Sequence, residues 1–248
     1  MPREWDADTY ADLPLPHVAW GLWVHEHLPL EGDERVMDAG CGTGRETVRL
    51  LDRLPRGRVV ALDGSRNMLE ATRAAAGARA DRVELVHADL GRPLPLTDPV
   101  DAITSVAALH WLPDHAATFA HLHAGLRPGG PFVAEWGGPG NIANVRAAIA
   151  GAGGERAADP WNFAGVEETA RRLHAAGFED VEVEAADAPA AFARGAELER
   201  YLEAVVLGAH VDAMAPADRR PFVRAVAEAL GEPVIDYVRL RARARTAV

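Results

Sequence analysis

The residues best placed to do chemistry lie within one ten-residue stretch, Val36-Met37-Asp38-Ala39-Gly40-Cys41-Gly42-Thr43-Gly44-Arg45. An apolar strand ends there in an acid and a glycine-rich turn that opens a helix. Such a turn brings backbone N–H groups and a helix N-terminus up to a bound ligand. Glycine is required because a Cβ would forbid the positive φ of the turn or hold the ligand off the backbone. The segment therefore reads as a cofactor loop. Its spacing is G-x-G-x-G, with Arg45 where a dinucleotide fingerprint has its third glycine, which weakens a nicotinamide reading.

Two more acids follow at strand ends. The run Arg58–Leu62 ends in Asp63, about 20 residues beyond the loop, where a carboxylate can grip ribose hydroxyls. The run Val83–His87 leads to Asp89 and Leu90. A fourth run, Asp101–Ser105, leads into Val106-Ala107-Ala108-Leu109-His110-Trp111.

Taken in order, V-M-D-A-G-C-G-T-G, V-V-A-L-D-G-S-R-N-M-L, V-H-A-D-L, L-H-W-L-P-D-H and L-R-P-G-G span residues 30–136. The series resembles the class I S-adenosylmethionine-dependent methyltransferases, and within them the trans-aconitate methyltransferase type. The resemblance implies that Gly40, Cys41 and Gly42 line the methionine portion of S-adenosylmethionine, with Cys41 a packed small residue rather than a reactive thiol. It implies that Asp63 binds the ribose, and that Gly64 and Met68 border the adenosine. Asp89 accepts from the adenine amino group, Leu90 offers a backbone donor, and Val106 and Ala107 pass beneath the methionine part. Tyr10 and Trp20 are candidates to close over the cofactor. The product would be S-adenosylhomocysteine.

Methyl transfer from a sulfonium is an in-line displacement, so aligning the reactants in a dry site supplies much of the catalysis, about 7–11 kcal/mol. A carboxylate acceptor is already ionised at neutral pH, whereas a hydroxyl or protonated amine must lose a proton. His110 follows the fourth strand, where the family keeps catalytic or orienting groups, and it stands where the trans-aconitate subgroup carries glutamine. Two roles are open to it: a base for a hydroxyl acceptor, or a hydrogen-bonding group that shapes the pocket. Trp111, Trp136, Asn141 and His210 are the candidate acceptor-facing residues. Asn141 has the alternative of capping the next helix, and His210 that of an ordinary residue on an amphipathic helix.

Composition excludes other chemistries. All 26 basic residues are arginine, so there is no lysine for a Schiff base. Serine occurs only at Ser65 and Ser105, neither within a G-x-S-x-G elbow. The pairs His25/His27 and His121/His123 send their rings to different helix faces, and no metal is expected. A net charge of −11 without a basic run argues against nucleic acid. No leader or membrane-spanning run is evident, which points to the cytoplasm, and the single cysteine forms no internal disulfide. The expected partner is a small-molecule acceptor, with the chain a monomer or homodimer and no membrane contact.

Periodicity supplies the frame. Val48, Leu51 and Leu54 mark a helix stopped at Pro55, Met68–Ala78 the next, and His115–Leu126 another. Strands return at Pro131–Trp136, Asp180–Ala185 and Tyr237–Ala244, making seven. Arg239, Arg241, Arg243 and Arg245 alternate with small or apolar residues, which reads as a half-solvated face. The fold class is α/β: a Rossmann-like, seven-stranded, mainly parallel sheet with helices on both faces, and the resemblance implies that the last strand is antiparallel. The chain reads as one domain, with a lid over residues 1–30, a core over 31–192 and 233–248, and a helical cap insertion over 193–232. The function expected is methyl transfer to a small-molecule acceptor at oxygen, a carboxylate or hydroxyl. The alternatives are a C- or N-methyltransferase on an isoprenoid or amine, and a non-methylating cyclase or binding protein on the same fold.

Overall fold

Four strand-forming runs before residue 110 pair side by side in the computed structural model, which describes residues 4–7, 16–153 and 160–248. They are β1 (Arg35–Ala39), β2 (Arg58–Asp63), β3 (Val83–His87) and β4 (Ala102–Val106), joined in parallel by β5 (Pro131–Gly137). β6 (Glu179–Asp187) forms the far edge, and β9 (Val238–Arg245) inserts between β5 and β6, antiparallel to both. The sheet order is β3-β2-β1-β4-β5-β9-β6, as the seven-strand reading requires. Strand order reverses between β1 and β4, so the crevice beyond their C-terminal ends is where an open α/β sheet receives a ligand. The central strands are covered on both faces. Val36, Met37, Val59, Val60, Ala61 and Leu62 are all fully buried, which explains their unbroken apolar runs.

Helices cover the faces. α1 (His17–His27) precedes the sheet, α2 (Arg45–Arg53) leaves the glycine loop, α3 (Arg66–Ala76) follows β2 and α4 (His115–Ala124) follows β4. α2 turns Thr47, Leu50 and Leu51 into the core at helical spacing. Ser65 and Asp114 cap α3 and α4, their side chains accepting from the N–H groups of Met68 and Ala117. Two helices that periodicity did not reveal, α5 (Ala143–Gly151) and α6 (Val166–Ala175), fill the stretch between β5 and β6. α5 is alanine-rich, so its apolar stripe is faint.

The insertion folds into α7 (Ala196–Tyr201), a π turn (Leu202–Val206), α8 (Gly208–Asp212) and α9 (Pro216–Ala229). Its base is closed by a short ribbon, β7 (Ala190–Ala191) against β8 (Val234–Ile235), too brief to leave an alternating pattern. The inserted helices share a core with α5: Ile142, Val145 and Ile149 pack with Leu202, Val206 and Val226. Among the described residues, no helix is long and apolar enough to cross a membrane.

The arginine face of β9 corrects one expectation. Arg239 is 1% exposed and bonds the buried Glu135, so the strand is solvated only toward its far end. Beyond it Arg241 faces Glu184 at 3.6 Å, Arg243 pairs with Glu182, and Arg245 meets Asp180 at 2.5 Å. All four arginines lie between β5 and β6, so what buries the first is the cover on that face, where the Trp20 ring of α1 lies 3.8 Å from its guanidinium carbon.

Candidate active site

The glycine loop turns as its sequence demands. Gly40 has φ +81°, and a Cβ there would stand 2.4 Å from the Cβ of Ala108, so neither the backbone nor the neighbouring loop admits a side chain. Gly42 has φ +54°, and a Cβ there would meet nothing within 4 Å, because the position faces an open cleft. The Asp63 carboxylate ties this loop to the next: Oδ2 accepts from the Gly42 N–H at 2.9 Å and Oδ1 from the Ser65 N–H at 2.8 Å. Burial nevertheless pushes its pKa above the ordinary carboxylate value. Asp89 Oδ1 similarly accepts from the Gly91 N–H at 2.8 Å.

The cleft is a cavity of about 500 Å³, a size that holds a small cofactor. Every cofactor-facing residue carried over from the resemblance lines it; of the two candidates to close over the cofactor, Tyr10 lies outside the described residues. Cys41 is buried with its Sγ 3.5 Å from the Thr72 hydroxyl, and burial raises its thiol pKa, as befits a packing residue. Trp20 does not reach this cavity.

Among the lining residues that the sequence reading gave no role are Trp5, Glu46 and Asp38. Trp5 sets its ring edge-on to Trp111, with centroids 5.3 Å apart, while the neighbouring Glu4 accepts from the Ser65 hydroxyl at 2.8 Å. Glu46 lies under α1, held by His25 Nε2 at 2.9 Å and Arg49 at 3.1 Å. Asp38, the acid just ahead of the glycines, is 1% exposed, and burial raises its pKa to about 7 against the hydrogen bond that Thr47 Oγ1 donates at 2.6 Å. The acid within the loop motif was itself the available signal. With Asp63 and Asp89 the described lining carries four acidic side chains, Asp38 only partly ionised near pH 7, against one cation, Arg45, a field that favours a positively charged ligand.

The elevated pKa of Asp38 has a consequence for stability. Its carboxyl ionises near 3.8 when unfolded and near 7 when folded, so the native state holds the proton longer. The corresponding stabilisation is complete below pH 3.8 and is lost as pH rises through about 7. Asp38→Asn, with cofactor absent, is expected to flatten this decline. Melting temperatures of both proteins at several values between pH 5 and pH 8 check it; parallel curves would refute the assignment.

A smaller chamber of about 40 Å³ opens beside the cleft and shares Trp5, Ala107 and Trp111 with it. Ala107 has φ +55°, a strained conformation for a residue with a Cβ, and its N–H bonds to the Glu135 carbonyl at 2.8 Å. His110, Asn141 and Arg239 supply the polar lining, with Trp20, Trp161, Phe163 and Tyr237 as aromatic walls. Arg239 Nε donates to Glu135 Oε1 at 2.5 Å, and the guanidinium carbon lies 3.8 Å from the centre of the Trp20 ring. Burial raises the Glu135 pKa, an effect that the arginine opposes. The Gly137 N–H donates to His110 Nδ1 at 3.3 Å, so in the neutral ring the proton resides on Nε2. Asn141 Oδ1 accepts from the Val238 N–H at 3.0 Å, holding β9 rather than capping α5.

Two acceptor-facing assignments are corrected. Trp136 is wholly buried on the opposite face of β5, against His115 and Phe119, because alternation along the strand turns it away from the chamber. His210 is buried between the rings of Trp161 and Phe222 and lines neither space, while its neighbour Ala209 reaches the larger cavity. Trp111, His110 and Asn141 line the chamber together.

Residues 36–130 match the family described as "Methyltransferase domain". The chain is 38% identical over 130 residues to a trans-aconitate 2-methyltransferase of Azoarcus sp., covering 52% of this chain and 49% of the relative. It is 36% identical over 172 residues to one of Rhizobium leguminosarum, covering 68% and 62%. It thus spans about half to three-fifths of the length of these curated relatives. Among solved structures, the [4+2]-cyclase SpnF superimposes with TM-score 0.63 at 20% identity, covering 93% of this chain and 81% of that one. A Haemonchus contortus phosphoethanolamine N-methyltransferase in complex with S-adenosyl-L-methionine gives TM-score 0.63 at 16% identity, covering 93% and 53%. At such identities these two speak for the fold alone.

Proposed function

We propose that the chain is a class I S-adenosylmethionine-dependent methyltransferase that methylates a carboxylate oxygen of a small molecule. The observation carrying this reading is the junction at Ala107 and Trp111, where an acid-lined cavity meets a chamber with an arginine in its wall. The first space suits a cationic sulfonium and ammonium, and the second holds a guanidinium that, although its charge is balanced by Glu135, has N–H capacity left for a carboxylate acceptor. The cleft fits the cofactor on its own terms: Gly42 leaves room where a Cβ would project, and Asp63 and Asp89 keep carboxylate oxygens at the strand ends. Relatives named for methylation of trans-aconitate support a carboxylate acceptor.

When bound, S-adenosylmethionine supplies an electrophilic methyl group on sulfur. The residues of the chain do the rest by placement. Gly40 and Gly42 admit the methionine part close to the backbone, Asp63 holds the ribose, and Asp89 and Leu90 hold the base. Met68 closes one side of the adenosine site, and Trp5 and Trp111 cover the junction against water. An ionised carboxylate needs no base, and the His110 Nδ1 lone pair is engaged by Gly137. His110 therefore orients and does not abstract a proton.

His110→Gln is accordingly expected to keep kcat within about 10-fold of the parent, where loss of a general base costs about 10²–10⁴-fold. The rate should be level from about pH 6 to 9. A drop beyond about 100-fold at saturating acceptor would assign His110 the base role. The overall reading is tested by incubating the protein with methyl-labelled S-adenosylmethionine and carboxylic acids, phenols, alcohols, amines and prenyl diphosphates, with products read by mass. Label confined to methyl esters is the expected result. Label on nitrogen or carbon, or cofactor binding with no transfer, would overturn it in favour of an N- or C-methyltransferase or a non-methylating protein.

A further inference from the structure

The polar groups of the chamber are directed in one sense. Arg239 is buried, one face of its guanidinium is covered by Trp20, and Nε is spent on Glu135. Its Nη2 is also buried and has no hydrogen-bond partner among the described residues. A buried donor left unsatisfied is costly, and a guanidinium accepts partners only in its plane. Asn141 spends Oδ1 on Val238, which turns its amide N–H groups the other way. Glu135 Oε2 is likewise unpartnered among the described residues but belongs to a residue outside the chamber lining, so the unused capacity of the lining itself is for donating and its complement is an oxyanion.

The rest of the wall limits how many such anions fit. Arg239 is the one arginine in the described lining, and Glu135 already balances its charge. Around it stand Trp161 and Phe163, stacked nearly parallel at 9°, with Val205 and Val206 from the cap. Where the chamber meets the larger cavity, Leu112, Pro113, Pro160 and Ala209 extend the apolar surface. A second or third carboxylate would be desolvated against indole rings and aliphatic carbon, or pressed toward the acids of the cofactor cleft, where Arg45 is the one cation among the described lining residues. Flat rings instead favour a flat apolar partner.

Resting on the carboxylate reading above, we infer that the acceptor is a flat, largely apolar monocarboxylic acid, its carboxylate received by Arg239 and its body laid along Trp161 and Trp111. In the step, one carboxylate oxygen forms a bond to the methyl carbon as the carbon–sulfur bond breaks with its electron pair going to sulfur. No proton is transferred, and the products are a methyl ester and a neutral thioether.

The test compares methyl ester formation from aryl- and alkenyl-monocarboxylic acids with that from propenetricarboxylate, using the full chain and saturating S-adenosylmethionine. The expected result is a kcat/KM at least about 100-fold higher for a monoacid, the discrimination that unpaired buried charge imposes. Equal or better turnover of the tricarboxylate overturns the inference and leaves the carboxylate reading standing. Transfer only to non-acids overturns both. A second arm replaces the ion pair by apolar groups of similar size, Glu135→Leu with Arg239→Met. S-adenosylhomocysteine binding, followed by calorimetry, should be unchanged, while kcat/KM for the monoacid falls about 10- to 100-fold, the value of one charge-assisted hydrogen bond. Unchanged kcat/KM in that variant would remove Arg239 from acceptor recognition.

Discussion

Asp63→Ala is expected to raise the dissociation constant for S-adenosylhomocysteine by about 100-fold or more, measured by calorimetry, with the sheet intact. Two ribose hydroxyls donating to one carboxylate are worth about 1.5–3 kcal/mol each, and about 3 kcal/mol is two orders of magnitude in affinity. The loss has a second source. Asp63 also accepts from Gly42 and Ser65, so without it the glycine loop and the turn before α3 are no longer tied together. Asp63→Asn separates the two contributions, since an amide keeps one accepting oxygen and the side-chain volume. Its affinity should lie between those of the parent and the alanine variant. An unchanged constant in Asp63→Ala would move the ribose contact elsewhere.

The second large effect is on folding. Arg239 and Glu135 are 1% and 0% exposed, so removing either partner leaves a charge buried without its counter-ion. Glu135→Ala or Arg239→Ala alone is expected to destabilise the protein by about 3–5 kcal/mol. At this chain length that is roughly 6–20 °C in melting temperature. The paired apolar replacement used above should recover most of that loss, because it withdraws both charges together. Urea unfolding of the parent, the single variants and the double variant forms a cycle that measures the coupling. If the single losses merely add, the two residues are not a coupled pair. The pair has a place in the site as well as in the core: its neighbours Trp20 and Ala107 are walls of the chamber.

The cofactor cleft was legible in the sequence because a backbone cradle is built from local pieces. Gly40 and Gly42 must be glycine for reasons set within a few residues, and Asp63 and Asp89 end strands whose apolar runs announce themselves. Strand number and the antiparallel last strand followed from runs of the same kind together with the family likeness. Asp38 was visible by position, but its burial and raised pKa depend on Thr47 and the closed glycine turn around it.

The acceptor chamber is of another kind. Trp5, His110, Trp161 and Arg239 come from four remote segments, and no periodicity relates them. Alternation along β9 was correctly seen yet could not say that its first arginine is interior, since that depends on Trp20 of α1 packing over that end of the strand. The same limit applies to Trp136 and His210: a pattern identifies the apolar side of an element, while only packing decides whether that side faces a cavity or a core. The sequence by itself determined the sheet, its ligand-bearing edge and the cofactor cradle, because each rests on short-range geometry. The tertiary structure decided where the Arg239–Glu135 pair stands without water, because desolvation is a property of everything that surrounds a group.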